Sequence, residues 1–234
     1  MLEIDKINTF YGEFQALKDV SLKVNDGELV AVFGPNGHGK STLLKTICGL
    51  LTAASGSIKF NGEQIIGLST ENIVGMGLVY IAEERHLFPE MTVLENLKLG
   101  AYTPSARPKE AENLEYVFQL FPKLKAWRKR LASTLSGGEG RMLAIGRGLM
   151  ANAKFLAIDE PSFGLAPNLR TDVFNTIKEI QESGISVLLV EQNVAEVSRI
   201  TNKIYLLEDG RIVFEGNKEE ALSNKHVKEV FLGI

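Results

Sequence analysis

The run GPNGHGKS at residues 34–41 constrains this chain more than anything else in it. It fits the spacing GxxxxGK[ST], and its flanks suit that pattern. Before it stands LVAVF (residues 29–33), continuously apolar as a strand buried on both faces is; after it comes STLLKTICGLL (residues 41–51), which reads as a helix. A strand, a glycine-rich turn and a helix start in that order make a phosphate cradle. The glycines let backbone N–H groups converge on phosphate oxygens, and the helix N-terminus adds partial positive charge. Lys40 neutralises phosphate, and Ser41 can ligate Mg2+. Gly34, Pro35, Asn36, Gly37, His38, Gly39, Lys40, Ser41 and Thr42 are therefore the first candidate binding residues. His38 fills a free position of the loop, where its side chain points to solvent or packs locally.

The rest of the chain fits an α/β core around this loop. LEIDK (residues 2–6) and ALKDVSLKV (residues 16–24) alternate apolar with polar residues, which predicts half-exposed strands in an antiparallel sheet near the N-terminus. KFLAID (residues 154–159) and ISVLLV (residues 185–190) repeat the buried-strand pattern. The helix between them has Leu169, Val173, Ile177 and Ile180 on its apolar face, and Pro167 and Gly184 at its ends. From roughly residue 86 to 150 helical periods replace buried strands, as in Ala111, Leu114, Val117, Phe118 and Phe121, which predicts an inserted helical subdomain. KIYLLE and RIVFEG flank Asp209-Gly210, a hairpin signal, and Asn217 with Glu220 caps a last short helix.

Composition removes several function classes. With 26 Lys plus Arg against 29 Asp plus Glu, the net charge of -3 supplies no general basic field, so no nucleic-acid partner is expected. The one cysteine, Cys48, allows no internal disulfide and falls in an apolar stretch as a buried thiol. No run approaches the roughly 18 apolar residues of a membrane span, and the N-terminal residues carry no signal-peptide pattern. A membrane role must then come through partners. KLKAWRKR (residues 123–130) is basic around Trp127 and reads as a solvated helix face, with nucleic-acid or lipid contact as the sharper alternative.

A phosphate loop needs an acidic partner for Mg2+, and FLAIDE (residues 155–160) offers one where an apolar strand ends in two acids. Asp159 suits the metal, directly or through water; Glu160, differently oriented, suits a general base for an attacking water. A third segment, LSGGEGR (residues 135–141), places Ser136 and Glu139 in a capping-box pattern ahead of the apolar run MLAIGRGLM. Ser136 with the free amides at Gly137 and Gly138 makes a second anion site. Taken alone, that segment reads equally well as an ordinary helix start.

GPNGHGKS, LSGGE and FLAIDEP, in this order over nearly the whole chain, resemble the ABC ATPase family. The resemblance implies a P-loop NTPase fold, ATP with Mg2+, and ATP hydrolysis. It implies a head-to-tail dimer in which the LSGGE segment of one subunit closes over ATP on the P-loop of the other. It also implies two transmembrane permease subunits, an indirectly linked solute-binding protein, and a peripheral place on the cytoplasmic face of the membrane. Tyr11 would stack on adenine; Phe10 and Phe14 lie beside it, so a packing aromatic is the plainer alternative. Permease contact would run through RHLFPEMTVLENL (residues 85–97), with Leu87, Phe88 or Met91 as apolar contacts or as core.

Three departures from the commonest family pattern narrow the resemblance. Glu83 stands where glutamine is usual after GLVYIA and still offers Mg2+ an oxygen. Ala166 stands in SFGLAP where aspartate is usual. Gln192 stands where a switch histidine is usual, and can donate a hydrogen bond to the γ-phosphate but cannot titrate. This set is similar to ATPases of branched-chain amino-acid importers, and a urea-type importer ATPase shares much of it. Gly140 stands where that group usually has glutamine. Asn193 with Glu196 reads as another helix cap. A soluble non-transport ABC ATPase is the rival; it usually carries a long coiled-coil insertion or two tandem domains. A P-loop kinase or GTPase would lack LSGGE.

Overall fold

The structure, a computed structural model, describes residues 1–192, 197–201 and 203–232. The alternating segments at the start form β1 (Leu2–Tyr11) and β2 (Phe14–Val24), paired antiparallel with Leu2 opposite Val24 and Tyr11 opposite Phe14. The chain then crosses as β3 (Leu29–Phe33) into a second sheet, continues through α1 (Lys40–Ile47), and returns to the first as β4 (Ser55–Phe60) and β5 (Glu63–Gln64). The antiparallel sheet has four strands, ordered β2-β1-β4-β5. The sequence pattern had marked only its first two.

The second sheet holds the site. After α2 (Thr70–Gly75) come β6 (Leu78–Ile81), β7 (Phe155–Asp159), α7 (Pro167–Glu182), β8 (Ser186–Glu191), β9 (Lys203–Glu208) and β10 (Arg211–Asn217). The order is β10-β9-β3-β8-β7-β6, parallel throughout except for β10 on the edge. Both faces of this sheet are covered, which explains why its strands are apolar without alternation. Ala31, Phe33, Leu156, Ile158, Val187 and Leu189 face one core. Their neighbours Val30, Val32, Phe155, Ala157, Leu188 and Val190 face the other, shared with β1, β2 and α1.

Between β6 and β7 stand α3 (Val93–Gly100), α4 (Glu110–Leu120), α5 (Pro122–Ala126) and α6 (Gly137–Leu149). Val117, Phe118 and Phe121 are buried as their spacing predicts, packing with Leu97, Leu143 and Ile145 in the first core. On α7, Val173, Ile177 and Ile180 are buried together with Phe174, while Leu169 is half-buried against the same core. The Asp209-Gly210 turn joins β9 to β10 with both residues at positive φ, 46° and 77°, as a tight right-twisted hairpin requires. Asn217 caps the helix Lys218–Ser223, and a further helix, Lys225–Leu232, follows it, so the predicted last helix is the penultimate one. In the basic run the helix ends at Ala126; Arg130 lies over the Trp127 ring at 5.1 Å, and Lys125 pairs with Glu115 at 3.2 Å. The Asn193–Glu196 cap lies outside the described residues.

Candidate functional site

The P-loop leaves the carboxyl end of β3 in the middle of the parallel sheet, and the ends of β6, β7 and β8 open onto the same side, where ligands of open α/β sheets bind. A cleft of about 340 Å³ lies there, lined among others by Gly37, Lys40, Ser41, Glu83, Glu160 and Gln192. Asn36, Gly39 and Thr42 complete the contribution of the loop. Gly39 has φ 105°, a left-handed conformation that turns the chain into α1 and that a side chain would strain. Lys40 folds back over the loop: its Nζ donates to Gly34 O at 2.9 Å and Pro35 O at 3.1 Å, and lies 3.3 Å from Glu160. The cation is thus held over the loop by two carbonyls and one carboxylate, with 4% of its surface exposed.

His38 turns away from the cleft. Its Nδ1 accepts from Asp209 N at 3.0 Å and its carbonyl accepts from Gly210 N at 3.1 Å, which ties the P-loop to the β9–β10 hairpin. The sequence reading of a locally packed side chain is the one found.

The acidic wall comes from β6 and β7. Asp159 ends β7 and is buried; its Oδ1 accepts from Ser41 Oγ at 3.1 Å and its Oδ2 from Tyr80 OH at 2.7 Å. Burial pushes the Asp159 carboxyl above its ordinary value; the Tyr80 and Ser41 hydrogen bonds pull it down, and the Glu160 charge raises it. Glu83, just beyond β6, is raised by burial and then by the charges of Glu160 and Asp159. Glu83 and Glu160 line the cleft together with Ser41, and Asp159 is buried beside Ser41 and Tyr80. Such an all-oxygen, negatively charged set fits a hard divalent cation, with Ser41, Asp159 and Glu83 as the residues that would hold Mg2+.

Glu160 follows Asp159 with φ 40°, a left-handed conformation that costs about 1–3 kcal/mol in a non-glycine residue and is characteristic of functional sites. This twist takes its carboxylate away from that of Asp159 and into the cleft. Gln192 Nε2 donates to Glu160 Oε2 at 2.6 Å. Residues 40, 41, 83, 159, 160 and 192 are thus brought together from four strand ends.

Tyr11, Ser136, Gly137 and Gly138 do not line this cleft. Tyr11 is half-exposed beside its cross-strand partner Phe14, which is more exposed still. Ser136 caps α6 by the full reciprocal pattern: its backbone N donates to Glu139 Oε2 at 2.8 Å, and its Oγ accepts from Glu139 N. Such a cap contributes about 1 kcal/mol, and it leaves Ser136 and Gly137 exposed.

Sequence reasoning missed four contributors. Arg141, buried in α6, donates to Ala82 O at 3.0 Å, Glu83 O at 2.8 Å and Glu160 O at 3.4 Å, so it fastens both acidic segments to the helix that Ser136 starts. Tyr80 holds Asp159. Glu191, at the end of β8, accepts from Ser162 N at 2.9 Å and Gln192 N at 3.0 Å. Phe163, exposed, lines the cleft. Only Arg141 carried a sequence signal, as a charge inside an apolar helix. Gly140 lies under the Arg85 side chain: a side-chain carbon there would sit 3.0 Å from Arg85 Nη1, which donates to Gly137 O at 3.0 Å, so the guanidinium would have to give by a few tenths of an ångström.

A second concavity, of about 540 Å³, lies behind β6, with Tyr80, Phe88, Leu99, Tyr102 and Arg147 in its lining. Phe88 is exposed, under Arg147 at 5.8 Å, whereas Leu87 is half-buried against the core, and Met91 lines an adjoining hollow with Leu99 and Tyr102. No helix among the described residues is long and apolar enough to cross a membrane.

Residues 17–163 match the ABC transporter family. The chain is 43% identical over its full length, and over all of the relative, to the high-affinity branched-chain amino-acid transport ATP-binding protein BraG of Pseudomonas aeruginosa. It is 33% identical to the lipopolysaccharide export system ATP-binding protein LptB of Haemophilus influenzae, covering all of this chain and 97% of that one. A crystal structure of the ADP conformation of an ABC transporter ATP-binding cassette superposes with a TM-score of 0.85 at 36% identity, covering 100% of this chain and 99% of the other. The family match over residues 17–163, the full-length relatives and the shared cassette fold agree with a cleft built from a P-loop lysine and an acid pair at the ends of parallel strands, and the chain belongs to the ABC transporter family as an ATP-binding, ATP-hydrolysing subunit.

Proposed function

We propose that this subunit powers a branched-chain amino-acid importer, as a dimer closing head to tail around two MgATP. The solute assignment is supported by the higher identity to BraG than to LptB and by the set Glu83, Ala166 and Gln192. The observation that carries the dimer is the separation of the two anion sites: the cleft with Lys40 and Ser41 takes no lining from Ser136, Gly137 or Gly138. An exposed, capped helix start with free amides, set apart from the phosphate loop of its own chain, suits phosphate held by another copy. Tyr11, half-exposed, is the adenine platform. We read the chain as one ATPase unit in which roughly residues 86–150 form a helical subdomain carrying that helix start.

In this reading the P-loop amides and Lys40 bind the β- and γ-phosphates, and Ser41, Asp159 and Glu83 would hold Mg2+, which when bound would neutralise phosphate charge. Glu160 takes the proton of the attacking water, steadied by the amide of Gln192 at 2.6 Å. ATP favours the closed dimer and ADP the open one, so hydrolysis does work on the permeases. The hollow lined by Phe88, Leu99 and Tyr102 is the permease seat, at the cytoplasmic face of the membrane, and the solute-binding protein acts through the permeases.

Mixing two inactive variants tests the dimer. Lys40→Ala damages the P-loop, and Ser136→Arg blocks the helix start; each homodimer has both composite sites damaged. In a mixed dimer one site collects both lesions and the other is intact, so the mixture regains hydrolysis. A mixture that exchanges subunits yet stays at the level of the separate variants contradicts the arrangement, with a wild-type/double-variant heterodimer as the control for sites that must act together. Leucine uptake into vesicles carrying the co-purified permeases tests the solute.

A further inference from the structure

We propose that Tyr80 is the positioning residue of the acidic wall: its hydroxyl pins Oδ2 of Asp159 and leaves Oδ1 turned to Ser41 as the oxygen that serves the divalent cation. This rests on the reading above in which Asp159 and Ser41 hold Mg2+. The placement follows from the sheet. Tyr80 on β6 is in register with Ala157 on β7, two residues before Asp159 and on the same face of that strand. The ring packs against the core on that face, beside the small Ala157, and its hydroxyl reaches the carboxylate at 2.7 Å.

A carboxylate turns easily about its last torsion, which is broad and nearly twofold. One hydrogen bond, from Ser41 at 3.1 Å, leaves that torsion loose; a second, on the other oxygen, fixes it. Asp159 has 1% of its surface exposed, so protein donors have to do what water does at an exposed carboxylate. A phenol is protonated at neutral pH, so the hydroxyl is the donor and the carboxylate the acceptor. Outer-shell partners of this kind orient metal-binding carboxylates, and losing one typically costs 10- to 100-fold in metal affinity.

The test is Mn2+ binding, followed by electron paramagnetic resonance in the presence of a non-hydrolysable ATP analogue. Tyr80→Phe removes one oxygen and is expected to weaken Mn2+ binding about 10- to 100-fold. Its affinity for the analogue in EDTA is expected to stay at the wild-type value. Asp159→Asn anchors the comparison: it must weaken Mn2+ binding, and adding Tyr80→Phe to it must change nothing further. If Asp159→Asn binds Mn2+ as wild type does, the metal reading falls and the proposal with it. If Asp159→Asn loses Mn2+ while Tyr80→Phe keeps it, the metal reading stands and the role of Tyr80 is refuted. An equal loss of analogue affinity in EDTA also refutes it, since the hydroxyl then acts through the fold. Should Tyr80→Phe not fold, the same two measurements on Tyr80→Leu, which also lacks the hydroxyl, give the answer, and Mn2+ affinity at the wild-type value overturns the proposal.

Discussion

Replacing Arg141 by Met should destabilise the nucleotide-free protein and slow hydrolysis together. Arg141 is 2% exposed, and its two shorter hydrogen bonds, 3.0 Å to Ala82 O and 2.8 Å to Glu83 O, go to backbone carbonyls of the segment after β6. The third, to Glu160 O, is 3.4 Å and weak. Glu83 O loses its side-chain donor, which costs about 1–3 kcal/mol, whereas Ala82 O keeps the backbone N–H of Arg85 at 3.3 Å and loses only a bond worth about 0.5–1.5 kcal/mol, so the gross loss is about 1.5–4.5 kcal/mol. Part of this is recovered, because the guanidinium no longer has to be desolvated and its Nε has no hydrogen-bond partner among the described residues. The methionine also fills most of the vacated volume. A net loss of about 1–3 kcal/mol follows, which for a chain of this size lowers the unfolding midpoint by about 2–12 °C. Calorimetry without nucleotide is the assay, since bound ligand would mask the change. Arg141→Lys should fall between, because one ammonium cannot span two carbonyls as the planar guanidinium does. Arg141→Met with a midpoint within about 1 °C of wild type and an unchanged kcat would show that Arg141 does not hold the segment at Glu83, and the reasoning would fail.

Glu160→Gln should keep ATP binding and lose about 10²–10⁴ in kcat, the usual contribution of a general base; wild-type turnover in that variant removes Glu160 from the role. Asp159 gives a pH dependence of known sign. Its carboxyl is held above the ordinary 3.8, first by burial, so the folded state binds that proton more tightly than the unfolded chain does. The resulting stability is complete below 3.8 and is lost as pH rises through the raised value. In metal-free urea unfolding, Asp159→Asn should therefore gain on wild type as pH rises from about 3 to 7, and a difference that stays flat over that range contradicts the assignment.

What was legible in the sequence was local or periodic. The P-loop, the two acids ending β7 and the Ser136 cap each occupy a few consecutive residues whose types state their own chemistry. The buried strands and the α7 face repeat at fixed intervals, and the Asp209-Gly210 turn is fixed by two residues that tolerate positive φ. The short strands β4 and β5 escaped because neither has enough alternation of its own; β4 exists by pairing to β1, with Leu2 opposite Phe60, and β5 by pairing to β4, with Glu63 opposite Phe60. Tyr80 and Glu191 escaped for a related reason. A tyrosine inside an apolar strand reads as core until the neighbouring strand places a carboxylate within reach of its hydroxyl.

Gly140 shows where local reading ends. Nothing within several residues of it calls for a glycine, and in the middle of a helix a glycine is costly, by about 1 kcal/mol relative to alanine. What a side chain there would meet lies in a different segment. Arg85, beyond β6, crosses α6 at this turn to reach Gly137 O, and a side-chain carbon at 140 would stand 3.0 Å from its Nη1 and 3.5 Å from Leu87. One residue on, Arg141 reaches back to Ala82 and Glu83 in that same segment. The first turns of α6 are therefore fitted to the chain around Glu83 from both sides, one arginine arriving and one departing. The helix start proposed for the partner's phosphate and the acids proposed for Mg2+ are therefore joined by direct contacts within one chain.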